Sequence, residues 1–146
     1  GTGRVAQHFQ DVFRDVLVLD VSLGMLIQAQ AKDALRPLLG ESERLPFADG
    51  SFERVLAVDS FHHFRDQARA GEELMRVLAT GGRLVIEEPN IEHFPVKLVA
   101  FGEKLLLMRS HFYHPRELKA LFDKLGYAAR LYVNGSSNYW VVVTRV

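Results

Sequence analysis

Short apolar runs alternate along this chain with stretches whose hydrophobic residues return every three or four positions. Val16-Leu17-Val18-Leu19-Asp20 is a continuous β-branched and leucine run, suited to a strand buried on both faces. Ser22 then offers a helix N-cap, and Leu23, Ile27, Ala31, Ala34 and Leu35 recur at helical spacing until Pro37 ends the period. Residues 55–58 read as a second buried strand, introduced by the turn residues Asp49-Gly50-Ser51. Residues 66–79 place Gly71, Leu74, Met75 and Leu78 on one helical face, which Gly81-Gly82 stops before the strand Leu84-Val85-Ile86. A last helix carries Pro115 in its first turn and Leu118, Leu121, Phe122 and Leu125 on its apolar face, ending at Gly126. Two strand-like runs, 128–133 and 139–143, flank the polar link Asn134-Gly135-Ser136-Ser137 and read as a hairpin.

This order predicts an α/β fold: a Rossmann-like, doubly wound and mostly parallel sheet with a C-terminal antiparallel hairpin strand, in a single domain over residues 1–146. The beginning departs from it. Gly1-Thr2-Gly3 followed by Val5, Phe9, Val12 and Phe13 has the form of a glycine turn joining a strand to a helix. The strand that should come first is not in the sequence, so the chain reads as N-terminally incomplete. The gap would expose two unpaired sheet edges, and the expectation is a chain that is unstable alone or a homodimer.

Composition narrows the field. With 146 residues, 48% hydrophobic and 25% charged, one core is feasible without staples. The absence of cysteine excludes disulfides, thiolate zinc sites and cysteine nucleophiles, and fits a cytoplasmic protein. Lys plus Arg equals Asp plus Glu at 18 each, so no net positive field draws in a phosphate backbone and nucleic acid is not a favoured partner. The most apolar segment, 94–108, is broken by Lys97, Glu103 and Lys104 and is too short and charged to span a bilayer.

In a doubly wound sheet, ligands bind beyond the carboxyl ends of the strands. There the sequence puts Gly1 and Gly3, whose backbone can approach a polar group at a helix start, and Asp20, whose carboxylate can accept both hydroxyls of a ribose. Glu41, Ser42 and Glu43 precede Leu45-Pro46-Phe47; Asp59-Ser60-Phe61-His62-His63 follows one strand, and Glu87 and Glu88 end another. Each has an ordinary reading as well: a tight turn for the glycines, an N-cap for the aspartate, packing for a histidine. Their order at successive strand ends favours function.

The segment Gly40-Glu41-Ser42-Glu43-Arg44-Leu45-Pro46-Phe47-Ala48-Asp49-Gly50-Ser51-Phe52-Glu53 carries a family likeness. Together with His62-His63-Phe64 and Leu78-Ala79-Thr80-Gly81-Gly82-Arg83-Leu84, it resembles the class I S-adenosylmethionine-dependent methyltransferases. The likeness is to the "type 11" group, which includes quinone-ring C-methyltransferases, and it runs from Gly1 to about Pro89. It implies that Gly1 and Gly3 lie beside the methionine part of S-adenosyl-L-methionine, and that Asp20 holds the ribose hydroxyls. Val21 and Met25 would form an apolar wall at the adenine. Glu41 would face the adenine amino group and Ser42 would offer its backbone amide. Val58 and Asp59 would lie along the methionine moiety, with His63 near the transferred methyl. Glu41 stands where the family has Asp, and the longer side chain still reaches an amino group. The acidic residue and first glycine of the family's opening motif are missing.

A sulfonium methyl donor is already activated, so the protein's main task is in-line positioning of the acceptor. For an acceptor that must lose a proton, His63 is the first candidate base and His62 the second. Residues 90–114 are a candidate substrate lid, with Val96, Leu98, Val99, Phe101, Leu105, Leu106 and Met108 hinting at a hydrophobic or aromatic small molecule; a helix packed on the sheet edge explains the same pattern. The spacing of His93, His111 and His114 could suggest a metal site, but no helical i, i+4 pair and no fixed carboxylate partner go with it. Two other readings stay open. Gly1-Thr2-Gly3-Arg4-Val5-Ala6 with Asp20 also fits a nicotinamide dinucleotide fingerprint of an oxidoreductase. A methyltransferase fold serving as an inactive interaction module is the other.

Overall fold

A computed structural model describes residues 1–32, 35–92, 96, 110–135 and 137–146. They form two compact units, Gly1–Pro46 and Phe47–Val146.

The first unit holds two parallel strands, β1 (Val16–Asp20) and β2 (Leu35–Leu39), joined through helix α1 (Leu23–Gln30). Ser22 caps α1 as its sequence position predicts, its Oγ accepting from the Met25 N–H at 3.4 Å. The expected continuation of this helix to Leu35 is corrected: α1 stops at Gln30, and Leu35 and Pro37 belong to β2. The apolar run Leu35-Arg36-Pro37-Leu38-Leu39 suits a strand, and β2 pairs with β1 alone, so the missing N–H of Pro37 is tolerated on an edge. Ala34 lies outside the described residues. Before β1 the predicted helical face at 5–13 reduces to a single 3-10 turn, Ala6–Phe9. Gly3 is buried at φ +73°, and a Cβ there would come within 2.5 Å of the Leu35 Cδ1 and 3.4 Å of the Ala29 Cβ. Only glycine fits that contact between the N-terminal turn, α1 and β2.

The second unit contains the larger core. Its sheet has the order β3 (Phe52–Val58), β4 (Leu78–Pro89), β6 (Asn138–Thr144), β5 (Ala129–Val133). β3 and β4 are parallel, while β6 runs antiparallel to both β4 and β5, so the terminal hairpin forms as predicted with its second strand inside the sheet. Register pairs Ile86 with Val141 and Leu84 with Val143, and all four are fully buried. Each such side chain removes about 1.5–3 kcal/mol of apolar surface from water. Helix α2 (Gln67–Val77) is capped by Asp66, and α3 (Pro115–Lys124) opens with a capping box between His114 and Glu117. A Cβ on Gly71 would lie 3.2 Å from the Leu125 Cδ1 and 3.6 Å from the Phe122 ring, so the missing side chain lets α2 approach the end of α3. The chain enters β4 directly at Leu78, earlier than the glycine pair suggests. Among the described residues no helix is long and apolar enough to cross a membrane.

Candidate active site

The carboxyl ends of the parallel strands carry the polar residues in each unit. In the first unit, β1 ends at Asp20, and the Gly40 N–H donates to the Asp20 carbonyl at 3.0 Å. This brings the loop that begins at Glu41 to the same end of the strand pair as Asp20. Asp20 Oδ1 accepts the Ser22 N–H at 2.7 Å, and Oδ2 accepts from the Gly1 nitrogen. Burial disfavours the Asp20 carboxylate, while the Ser22 and Val21 N–H groups favour it. Its side chain keeps 24% exposure, and each carboxylate oxygen has a second lone pair for a ligand hydroxyl.

Around Asp20 the surface is apolar. Val21 is 69% exposed and Met25 44% exposed, high values for such side chains. Glu41 is exposed and forms an isolated bridge with Arg44, whereas Ser42 is buried with its Oγ donating to Glu43 at 3.0 Å. Gly1 is exposed, and Gly3 is held by packing as described. A hydroxyl-accepting carboxylate beside an open apolar wall suits a nucleoside: the carboxylate for a ribose, the wall for a base.

In the second unit, Val58 ends β3 and pairs with Glu87. Asp59 follows at φ +49°, the one positive-φ residue other than glycine among the described residues, with its N–H donating to the Glu87 carbonyl at 2.9 Å. Asparagine and aspartate tolerate this region best among residues with a side chain, and such conformations gather where backbone is held for a ligand. A 3-10 turn, Phe61–His63, comes next.

The two histidines of this turn occupy different environments. His62 is buried, with Nδ1 2.6 Å from Glu88 Oε2 and its ring stacked on Phe112 at 4.1 Å between centroids. His63 is exposed, its Nδ1 3.1 Å from the Ser110 Oγ, and its ring centroid stands 4.0 Å from that of His62. Burial and the carboxylate partner suit His62 to holding structure; exposure suits His63 to meeting an acceptor. Glu88, noted from the sequence only as a strand end, also accepts the Ser60 N–H at 3.1 Å and the Phe61 N–H at 2.8 Å. A carboxylate two residues past an apolar run is the sequence signal; its partners, 26 to 28 positions away, are not readable from spacing. Glu87 accepts from the Asn138 side-chain amide at 2.7 Å and the Trp140 indole N–H at 2.9 Å, fastening β6 to the same strand end.

Most of the candidate lid, residues 93–95 and 97–109, lies outside the described residues, as does His93. Among the described residues no three His, Asp or Glu side chains converge as metal ligands would.

Residues 1–86 match the family model described as "Methyltransferase domain". A demethylmenaquinone methyltransferase of Renibacterium salmoninarum is 35% identical over 89 residues, covering 60% of this chain and 38% of that relative. A malonyl-[acyl-carrier protein] O-methyltransferase of Erwinia billingiae is 36% identical over 88 residues, covering 58% of this chain and 34% of that relative. The chain thus spans little more than a third of the length of either. Among solved structures, a SAM-dependent methyltransferase of Thermotoga maritima superposes with a TM-score of 0.87 at 22% identity, over 100% of this chain and 78% of that one. The fold is the class I methyltransferase α/β fold.

Proposed function

Because the chain belongs to the methyltransferase-domain family, we propose that it binds S-adenosylmethionine and takes part in methylating a small molecule. The observation that carries this reading is the family match over residues 1–86, which contains every candidate cofactor residue from Gly1 to Asp59. The donor set agrees with it: Asp20 retains lone pairs for ribose hydroxyls, and Val21 and Met25 offer apolar surface to an adenine. The family resemblance assigns Gly1 and Gly3 to the methionine part, and it assigns Val58 and Asp59 the same role. Glu41 accepts from the adenine amino group and the Ser42 amide donates to a ring nitrogen.

The bound cofactor supplies a methyl group activated by its sulfonium charge. The protein's contribution is orientation and one proton transfer. When bound, the cofactor would supply the methyl carbon to the acceptor atom as its carbon–sulfur bond breaks, with S-adenosylhomocysteine as the leaving group. The acceptor's proton passes to the exposed His63 ring, whose Nδ1 stands 3.1 Å from the Ser110 Oγ. His62, buried against Glu88, serves this step from behind. The acceptor is a hydrophobic or aromatic small molecule. Chemically reduced demethylmenaquinone is the first one to test, because relatives bear that name and its electron-rich ring carbon loses a proton on methylation. Self-association belongs to the same reading, since β1 pairs only with β2 and β3 only with β4 among the described strands.

Calorimetric titration with S-adenosylhomocysteine, and separately with NAD, tests the proposal. Binding of the first that is weakened by Asp20→Ala supports it. Binding of NAD alone overturns it in favour of a dinucleotide site.

A further inference from the structure

Glu88 lies just past the family-matched segment, and nothing in the cofactor reading gives it a task. It is 3% exposed and surrounded by donors: the Ser60 and Phe61 amides meet Oε1 at 3.1 and 2.8 Å, and His62 Nδ1 stands 2.6 Å from Oε2. Two backbone N–H groups already donate to this carboxyl, and the pairing in which it acts as acceptor throughout has His62 Nδ1–H donating to Oε2. The contact network continues outward from there. The His62 carbonyl accepts the His111 N–H at 2.8 Å, and the Gln67 Nε2 donates to both the Phe61 and His111 carbonyls at 2.9 and 2.8 Å. Ser110, next in the chain to His111, is the residue whose Oγ meets His63 Nδ1. Two neighbours of the His63 ring, His62 and Ser110, are therefore set by contacts that lead back to Glu88.

We propose that Glu88 is a positioning residue: its carboxylate fixes the 60–63 turn and the tautomer of His62, and through them the placement of His63. The role in turnover rests on the reading of His63 as the proton acceptor; the tautomer and the turn do not. Glu88→Gln separates the contacts cleanly. The amide oxygen of Gln can keep both backbone donors, but its NH2 then faces Nδ1–H, donor against donor. The conflict resolves only when His62 moves its proton to Nε2 or its ring shifts.

Nitrogen NMR of the chain with 15N-labelled histidine tests this without turnover. In the unsubstituted chain, His62 Nδ1 is expected to be protonated at neutral pH. In Glu88→Gln, Nδ1 loses its proton and the His63 signals move, while S-adenosylhomocysteine affinity is unchanged. Methyl transfer to reduced demethylmenaquinone then falls about a hundredfold in kcat with little change in KM, as expected for a reacting group displaced by about 1 Å. An unprotonated Nδ1 in the unsubstituted chain overturns the proposal even if the variant fails to fold. So does a folded variant with unchanged histidine signals, or one with altered signals and undiminished kcat. Failure of the unsubstituted chain to bind S-adenosylhomocysteine instead overturns the cofactor reading and leaves the histidine result to be judged by itself.

Discussion

Asp20 and Glu88 each lie at the carboxyl end of a strand, the first in the smaller unit and the second in the larger, and their surroundings differ sharply. Asp20 keeps partial exposure, accepts from the Ser22 amide and the Gly1 nitrogen, and is flanked by exposed apolar side chains. Glu88 is sealed, with two amides and an imidazole on it. The same residue chemistry at equivalent topological positions thus divides into a carboxylate left open to a ligand and one consumed by the fold. The wider regions follow the same division. Every residue of β1 is half-buried, whereas Leu84 and Ile86 of β4 are completely enclosed. Burial decides which carboxylate can do chemistry on something that diffuses in.

The sharpest way to break this contrast is to remove both groups and compare. Glu88→Ala leaves two amides and His62 unsatisfied in the interior and is expected to cost about 3 kcal/mol or more in denaturant unfolding. Asp20→Ala should cost less than about 1 kcal/mol in stability. It should weaken S-adenosylhomocysteine binding about ten- to hundredfold by calorimetry, the range for a hydrogen bond to a charged group. Equal stability losses at the two positions would erase the distinction.

A third test uses pH on the enclosed side. Burial first, then the charges of Glu88 and Glu117, push the Tyr139 phenol far above its ordinary value, so the folded state keeps it protonated. Its contribution is fully present below the unfolded value near 10 and is lost as pH rises toward the folded one, at about 1.4 kcal/mol per pH unit. Tyr139→Phe should flatten the alkaline fall in stability; an unchanged slope would mean that the phenol is not the group responsible. The smallest effect is expected on the open side. Val21→Ser should change stability by less than about 0.5 kcal/mol while measurably weakening S-adenosylhomocysteine binding.

The open side was the more legible in the sequence. Asp20 closes an apolar run, Ser22 caps the helix after it, and the 40–53 segment carries the family likeness, all local signals. Pro37 misled, because a proline that ends a helix also fits an edge strand, and only pairing with β1 distinguishes the two. The enclosed side was half legible. The hairpin and both later helices follow from local periodicity and caps, but insertion of β6 between β4 and β5 is a long-range choice. The division of labour between His62 and His63 was unreadable for the same reason: identical neighbours in sequence are separated by Glu88 and Ser110, far along the chain.

The position of β6 bears on when this protein can exist at all during its synthesis. β4 finds its second neighbour in residues 49 to 61 positions later, and the Arg145 guanidinium donates to the Met75 and Arg76 carbonyls at the close of α2. A ribosome that has released β3, α2 and β4 has therefore released a sheet whose β4 flank still lacks β6 and a helix whose last turn still lacks the Arg145 donor. Completion of this sheet waits for β6 to emerge. Until then the nascent chain offers the apolar edge of β4 to any strand within reach, and chaperones that shield extended hydrophobic segments would find it there.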